Sequence, residues 1–263
     1  MILSSPSAVA FDVFGFAVYW YGIILAFAIL LGTIWADFIY RRYFLCFDSS
    51  SLILDIAPWL IFVGFCGARI YYCLINFTYY SEHLLEIFNV RQGGLSIHGA
   101  ILFCVIFLFF YSKLKKVSFF DLGASLSVGL VFAQSVGRWG NFFNSEAFGK
   151  PYDGFLKLYV SPEHRPEIYS NVEYYHPTFL YESVLNLCIF VILFFVVKSK
   201  KISSMFVVGL YLGLYSIVRI VVESIRVDSV LSVLGLPIAT VVSVLEVFVS
   251  IILILLALKF KFR

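Results

Sequence analysis

AVYWYGIILAFAILLGTIWADFI, residues 17–39, is followed at once by Arg41 and Arg42 and decides the fold. A helix needs near 20 apolar residues, at about 1.5 Å each, to cross roughly 30 Å of hydrocarbon. This run has that length, and a basic pair closes it. Six further runs of the same kind lie at about 52–75, 95–112, 119–142, 178–197, 205–225 and 236–258. The chain has 263 residues, 62% of them hydrophobic and 13% charged, with a mean hydropathy of +0.96. Soluble domains carry about 25% charged residues, and so much apolar surface cannot be hidden in one water-soluble core of this size. The same composition excludes a disordered chain, a coiled coil and a secreted disulfide scaffold. The reading is an all-α membrane protein of seven transmembrane helices, with 1–263 as a single polytopic domain.

Basic residues set the orientation. Arg41, Arg42, Lys113, Lys115, Lys116, Lys198, Lys200, Lys201, Lys259, Lys261 and Arg263 follow the first, third, fifth and seventh runs, all on one side. The other side holds only Arg91, Lys150, Lys157 and Arg165, with Arg226 at a helix end. The positive-inside rule therefore predicts an outside N-terminus and a cytoplasmic C-terminus. No Lys or Arg precedes Arg41 and no small-residue cleavage site is seen, so no removable signal peptide is expected. The longest polar stretch, 144–175, carries Pro151, Pro162, Pro166, Gly149 and Gly154 and is expected to form a small exterior cap. A second outer segment, 76–92, is rich in Tyr and carries Glu82 and Glu86. Cys46, Cys66, Cys73, Cys104 and Cys188 stand singly, without metal-like spacing, and read as small hydrophobes; no metal and no cofactor is expected. No acidic or basic tail points to nucleic acid.

Ionisable groups inside apolar runs cost about 2.5–3.5 kcal/mol each at mid-bilayer, which makes them functional candidates. Counted from the cytoplasmic ends, Arg69 lies roughly 26 Å, Arg138 roughly 28 Å and Arg219 roughly 21 Å along their helices, all in the outer half. His98, Asn141, Asn144, Glu146 and His176 fall at a comparable level. Tyr215, Arg219 and Glu223 recur at i, i+4 and i+8 and share one helix face. Arg138 and Asn141, at i and i+3, offer donors suited to a phosphate. His98 stands among Gly93, Gly94 and Gly99, where there is room for a ligand, and an imidazole titrates near neutral pH, as a general base should. His176-Pro177 opens the next helix, with Pro expected at its first position and Tyr181-Glu182 one turn later.

These blocks resemble bacterial prolipoprotein diacylglyceryl transferases nearly end to end. The resemblance rests on Trp20-Tyr21-Gly22, Gly67-Ala68-Arg69-Ile70, Gly93 to Gly99, Gly137-Arg138 through Glu146, His176 to Glu182, and Arg219 to Glu223 with Arg226-Val-Asp228-Ser229. It implies an inner-membrane enzyme that moves the diacylglyceryl group of phosphatidylglycerol to the lipobox cysteine of a prolipoprotein signal peptide. Glycerol 1-phosphate is the implied by-product. The family's functional positions match Tyr21, His98, Arg138, Asn141, Glu146, Tyr215, Arg219 and Glu223. Implied catalytic residues are His98, Arg138, Arg219 and Tyr215. Implied contacts to phosphatidylglycerol are Arg138, Asn141, Tyr21, Glu146, Glu223, Asn144 and Arg69. This sequence departs from relatives at Phe179 and Ser145 and lacks a Gln near Ala239-Thr240-Val241, and Glu246 matches no family role.

Two other classes fit parts of the pattern. A transporter for an anionic solute would also need membrane arginines, but should place them near the midplane and show internal repeats, of which the sequence has none. A lipid-binding scaffold would explain the arginines but not a His beside glycines at the same depth. Accumulation of unmodified prolipoprotein on depletion separates the transferase from both.

Overall fold

The computed structural model describes residues 1–44, 51–90, 93–199, 202–227, 232–233 and 236–261. Cys46, Arg91, Lys200, Lys201, Asp228, Ser229 and Arg263 lie outside the described residues. In chain order the elements are β1 (Ile2–Ser4), β2 (Val9–Val13), β3 (Phe16–Tyr19), α1 (Trp20–Ile39), α2 (Leu52–Ile75), α3 (Phe77–Glu82), α4 (Ile97–Lys115) and α5 (Phe119–Phe143). They continue with β4 (Lys157–Tyr159), β5 (Tyr174–Tyr175), α6 (Thr178–Lys198), α7 (Ser204–Glu223), β6 (Ser232–Val233), β7 (Leu236–Pro237) and α8 (Ile238–Lys261). Seven of the helices are long and apolar enough to span a bilayer: α1, α2, α4, α5, α6, α7 and α8. The protein is a multi-pass membrane protein of helical class.

Two compact units divide the chain, 1–43 with 123–263, and 44–122. In the first, α1 and α5 meet backbone to backbone. A Cβ on Gly32 would stand 2.7 Å from the carbonyl oxygen of Gly129, so only glycine permits this crossing. In the second, α2 and α4 do the same at Gly67 and Gly99. A Cβ on Gly67 would stand 2.9 Å from the Gly99 carbonyl, beside His98. Small residues serve here because lipid gives helices no hydrophobic reason to associate, so close van der Waals contact must.

Helix ends follow local chemistry. The Ser203 hydroxyl accepts the Phe206 N–H at 3.3 Å and starts α7. Arg41, in a π-helical turn after α1, pairs with the buried Asp37 at 2.8 Å. The structure also moves three boundaries. Residues 17–19 belong to β3 rather than to the first span, because β2 pairs with them in an antiparallel hairpin (Val9↔Tyr19, Phe11↔Val18, Asp12↔Ala17). Residues 236–237 are likewise strand, paired with Ser232 and Val233. Pro177 precedes α6 instead of occupying its first position, with ψ at 67°.

Segment 144–175 folds as a small knot. β4 runs parallel to β1 (Ile2↔Lys157, Leu3↔Leu158, Ser4↔Tyr159) and antiparallel to β5 (Leu158↔Tyr175, Tyr159↔Tyr174). Ala147, Phe148, Leu158, Val160, Tyr175 and Phe179 form its buried core. The Gly149 N–H donates to the His176 carbonyl at 2.9 Å, and the Lys150 N–H to the Ile225 carbonyl at 2.9 Å. The knot thereby fastens the start of α6 to the end of α7.

Candidate active site

Glu182 is where the first unit concentrates its charge. Its carboxylate is completely buried on the second turn of α6, in a mostly apolar helix. An isolated carboxylate there would be prohibitive, and two guanidinium groups make it tolerable. Arg138 of α5 donates from Nη2 at 2.5 Å. Arg219 of α7 donates from Nη1 to both carboxylate oxygens, at 2.9 and 3.1 Å. Arg219 also donates from Nη2 to Glu223 at 3.0 Å, one turn along its own helix as the spacing predicts, and Arg226 stands 3.7 Å from Glu223. Among the described residues three guanidinium groups face two carboxylates.

The fold holds Glu182 in place from three directions. The Phe179 N–H and the Thr178 hydroxyl both donate to the Ala147 carbonyl, at 2.9 and 2.6 Å, and fix the first turn of α6. Ser135 and Ser183 each donate a hydroxyl to the other's carbonyl at 2.8 Å, a reciprocal clasp between α5 and α6 beside the Arg138–Glu182 pair. Ser145 and Ala147 both sit at φ 55°, the left-handed region that side chains resist, and turn the chain sharply out of α5. Glu146, between them, is thereby brought back over the helix end.

From Glu182 a column of polar groups climbs to the surface. Arg138 Nη1 donates to Asn141 Oδ1 at 3.4 Å, and the Asn141 and Asn144 carboxamides donate to the exposed Glu146 carboxylate, each at 3.4 Å. One turn deeper than Glu182, Asn186 is fully buried, and neither polar atom of its side chain finds a partner among the described residues. Tyr215 lies close enough to Arg138, Glu182 and Arg219 to feel their charges, and its ring stacks on Tyr211 at 5.8 Å. Tyr21 packs its ring on Gly140, where a Cβ would stand 2.9 Å from Cδ2, and Trp20 stacks on Phe143 at 5.2 Å. His176, just before α6, lies against Tyr152 with ring centroids 3.9 Å apart, and burial holds its pKa below the ordinary 6.5.

An arginine has five N–H donors. Arg138 and Arg219 each keep donors that no described residue takes, so both can grip a phosphate while still holding Glu182. Arg69 is different, because backbone carbonyls surround it. Its Nε donates to the Ile87 carbonyl at 2.8 Å, Nη1 to Gly93 and Gly94 at 3.0 and 2.9 Å, and Nη2 to Glu86 and Asn89 at 2.6 and 3.1 Å. All five donors are spent, and they tie residues 86–89 and 93–94 to α2. A cavity of about 190 Å³ beside it is lined by Tyr72, Tyr79, Tyr80 and Glu86. His98, second residue of α4, belongs with Arg69 to the second unit, and its ring makes no hydrogen bond among the described residues.

The structure thus gathers Arg138, Asn141, Asn144, Glu146, Tyr215, Arg219 and Glu223 in the first unit, with Tyr21 against the same end of α5. Glu182, which ties the two site arginines together, was not among the candidates from sequence. A carboxylate five residues into an apolar run was itself the signal.

The family model of prolipoprotein diacylglyceryl transferase matches residues 8–256. The chain belongs to the prolipoprotein diacylglyceryl transferase family. A phosphatidylglycerol–prolipoprotein diacylglyceryl transferase of Acaryochloris marina is 42% identical over 252 residues, covering 94% of this chain and 89% of that one. Proteins of the same name from Clostridium botulinum and Fervidobacterium nodosum are 38% and 39% identical, covering 92% and 91% of this chain and 94% and 81% of their own. The stretch matching the transferase family contains the whole column from Asn186 to Glu146 and all seven spans but the last turn of α8.

Proposed function

We propose that this chain transfers the diacylglyceryl group of phosphatidylglycerol to the thiol of a lipobox cysteine in a prolipoprotein, the first step of lipoprotein maturation. The observation that carries the reading is Glu182 held between Arg138 and Arg219, with guanidinium donors left over for an anion.

The phosphodiester of the lipid binds across Arg138 and Arg219. Charge-assisted hydrogen bonds from planar guanidinium groups to a phosphate are roughly twice as strong as neutral ones. Asn141 and Tyr215 orient the headgroup, Glu223 steadies Arg219, and Glu146 with Asn144 closes the outer end. Tyr21 bounds the same end of α5. The cysteine thiol, with an ordinary pKa near 8.5, needs a base, the part that the family resemblance gives to His98. The thiolate sulfur attacks the glycerol carbon that bears the phosphate. A C–S bond forms, the C–O bond breaks, and the electron pair leaves on glycerol 1-phosphate. Arg138 and Arg219 stabilise the charge that grows on that leaving group in a water-poor site, where such contacts count for most. No step calls on a metal, a cofactor or nucleic acid.

The chain operates as one polytopic domain in the bacterial inner membrane, N-terminus outside and C-terminus cytoplasmic, with 144–175 capping the exterior side. The basic residues after the first, third, fifth and seventh runs support that orientation. The decisive assay combines purified protein, phosphatidylglycerol and a lipobox peptide, following glycerol phosphate release and the mass of the peptide. Release coupled to a diacylglyceryl mass gain on the cysteine is the expected result. Neither signal from folded protein refutes the reading.

A further inference from the structure

Ahead of the first span the chain makes a hairpin that the polar column does not use. Among the described residues β2 and β3 pair only with each other, and their two-residue turn is Phe14-Gly15. Both turn residues have positive φ, 51° and 84°. Turns of this kind ordinarily take Asn or Gly at the first position. Here a phenylalanine holds it, 97% exposed, with Phe16 75% exposed and Phe11 and Val13 open beside it. The one charged side chain of the hairpin, Asp12, accepts the Gly15 N–H at 2.8 Å and so is engaged in closing the turn. A two-stranded hairpin alone is marginal in water, and this one would set an aromatic tip in it.

The root of the hairpin lies at the site. The Trp20 N–H donates to the Ala8 carbonyl at 3.0 Å, and the Ser5 hydroxyl to the Phe143 carbonyl at 3.2 Å. Phe143, which also stacks on Trp20, ends the helix that carries Arg138 and Asn141. The hairpin runs without a break into α1, whose Tyr21 and Leu25 are exposed as lipid-facing residues are. No Lys or Arg occurs before Arg41, so attraction to anionic headgroups does not hold this surface; apolar burial must.

We propose that the Val9–Tyr19 hairpin is a membrane wedge: Phe11, Phe14 and Phe16 enter the apolar edge of the bilayer beside the headgroup site, and lipid is what covers them. Its functional consequence rests on the transferase reading. The wedge loosens lipid packing where phosphatidylglycerol leaves the bilayer for the arginines, so it serves loading from a membrane and not the chemistry.

Two arms test this separately. Phe14→Trp and, in parallel, Phe16→Trp are placed in vesicles of phosphatidylglycerol and phosphatidylethanolamine with or without acyl-chain bromine. After subtraction of the parent chain's emission, the added Trp should lose about half its intensity or more to the bromolipid. This arm needs no catalysis, so it stands or falls apart from the assigned reaction. Unquenched emission overturns the wedge. So does emission that responds to diluting the protein in the bilayer or to added lipobox peptide instead of to bromolipid, which would identify a second copy or a paired strand. In the second arm, Phe11→Ser/Phe14→Ser/Phe16→Ser should lower kcat/KM for bilayer phosphatidylglycerol by about fivefold or more and that for short-chain phosphatidylglycerol in detergent by less than about twofold. Equal loss in both settings, or no loss in either, overturns the loading role.

Discussion

Glu182→Gln replaces one oxygen by an amide of the same shape and removes the charge that two arginines share. At an effective dielectric of about 20, a pair of charges roughly 4 Å apart interacts by about 4 kcal/mol, and breaking a buried pair costs about 3–5 kcal/mol. Glu182 makes three contacts of 2.5–3.1 Å to two guanidinium groups that are themselves mostly covered. The amide oxygen retains part of one of them, so we take about 3 kcal/mol as the net loss. Falling on the geometry of Arg138 and Arg219, that is about a hundredfold in kcat at 1.4 kcal/mol per decade. Binding of the anionic lipid should not weaken, because removing the Glu182 charge makes the surroundings of both arginines one charge more positive. Steady-state glycerol phosphate release over a range of phosphatidylglycerol concentrations therefore shows kcat down about a hundredfold with KM unchanged or lower. Glu182→Asp should not rescue it, since a side chain one methylene shorter cannot reach both arginines. A Gln variant with kcat within about threefold of the parent would refute the bridging role.

The remaining predictions are more direct. Arg138→Lys keeps the charge but loses the planar fork, so transfer should fall by about tenfold or more while the thermal midpoint changes by no more than about 2 °C; full activity refutes a two-point grip on the phosphate. Arg69→Lys can serve at most three of the five carbonyls that Arg69 holds, and the segment 84–90 should exchange its amide hydrogens about tenfold or more faster, whereas unchanged exchange there refutes the ordering role. His176 has its pKa lowered by burial, so the unfolded chain binds the proton more readily than the folded one. Stability is therefore complete above pH 6.5 and lost as pH falls from there towards the lower folded value; His176→Phe should flatten the pH 7 to 5 dependence of the thermal midpoint, and an identical slope in both proteins refutes the assignment.

Much of this was legible in the sequence, for reasons that can be named. The spans show because hydropathy over about 20 residues is a strong signal, and Arg138, Arg219 and Glu223 show because a charge in such a run needs a reason. The Arg219–Glu223 pair follows from i, i+4 spacing alone. Depth, however, counts residues and does not see partners. It set Arg69 level with the other arginines, although backbone carbonyls from 86–94 take every donor it has. Glu182 escaped because its neighbours His176 and Pro177 read as a helix start, and the carboxylate one turn on read as part of it. Its meaning depends on α5 and α7 arriving from 44 and 37 residues away. Residues 17–19 of the hairpin were merged into the first span because they are as apolar as α1 itself, with no Asn-Gly turn before them to mark a strand.

The shared carboxylate also bears on how the protein is made. α5 enters the membrane with an unneutralised Arg138 and α6 with Glu182, at about 2.5–3.5 kcal/mol each, and only together do they relieve one another. Even then Glu182 has one of its two arginines until α7 emerges, because Arg219 lies 37 residues further along the chain. We expect the insertion machinery to hold these helices as a group, with the last of them to arrive completing the contacts of Glu182. A nascent chain halted before α7 should consequently stay crosslinkable to the translocon, while one that includes α7 should leave it; release of both alike would contradict this order.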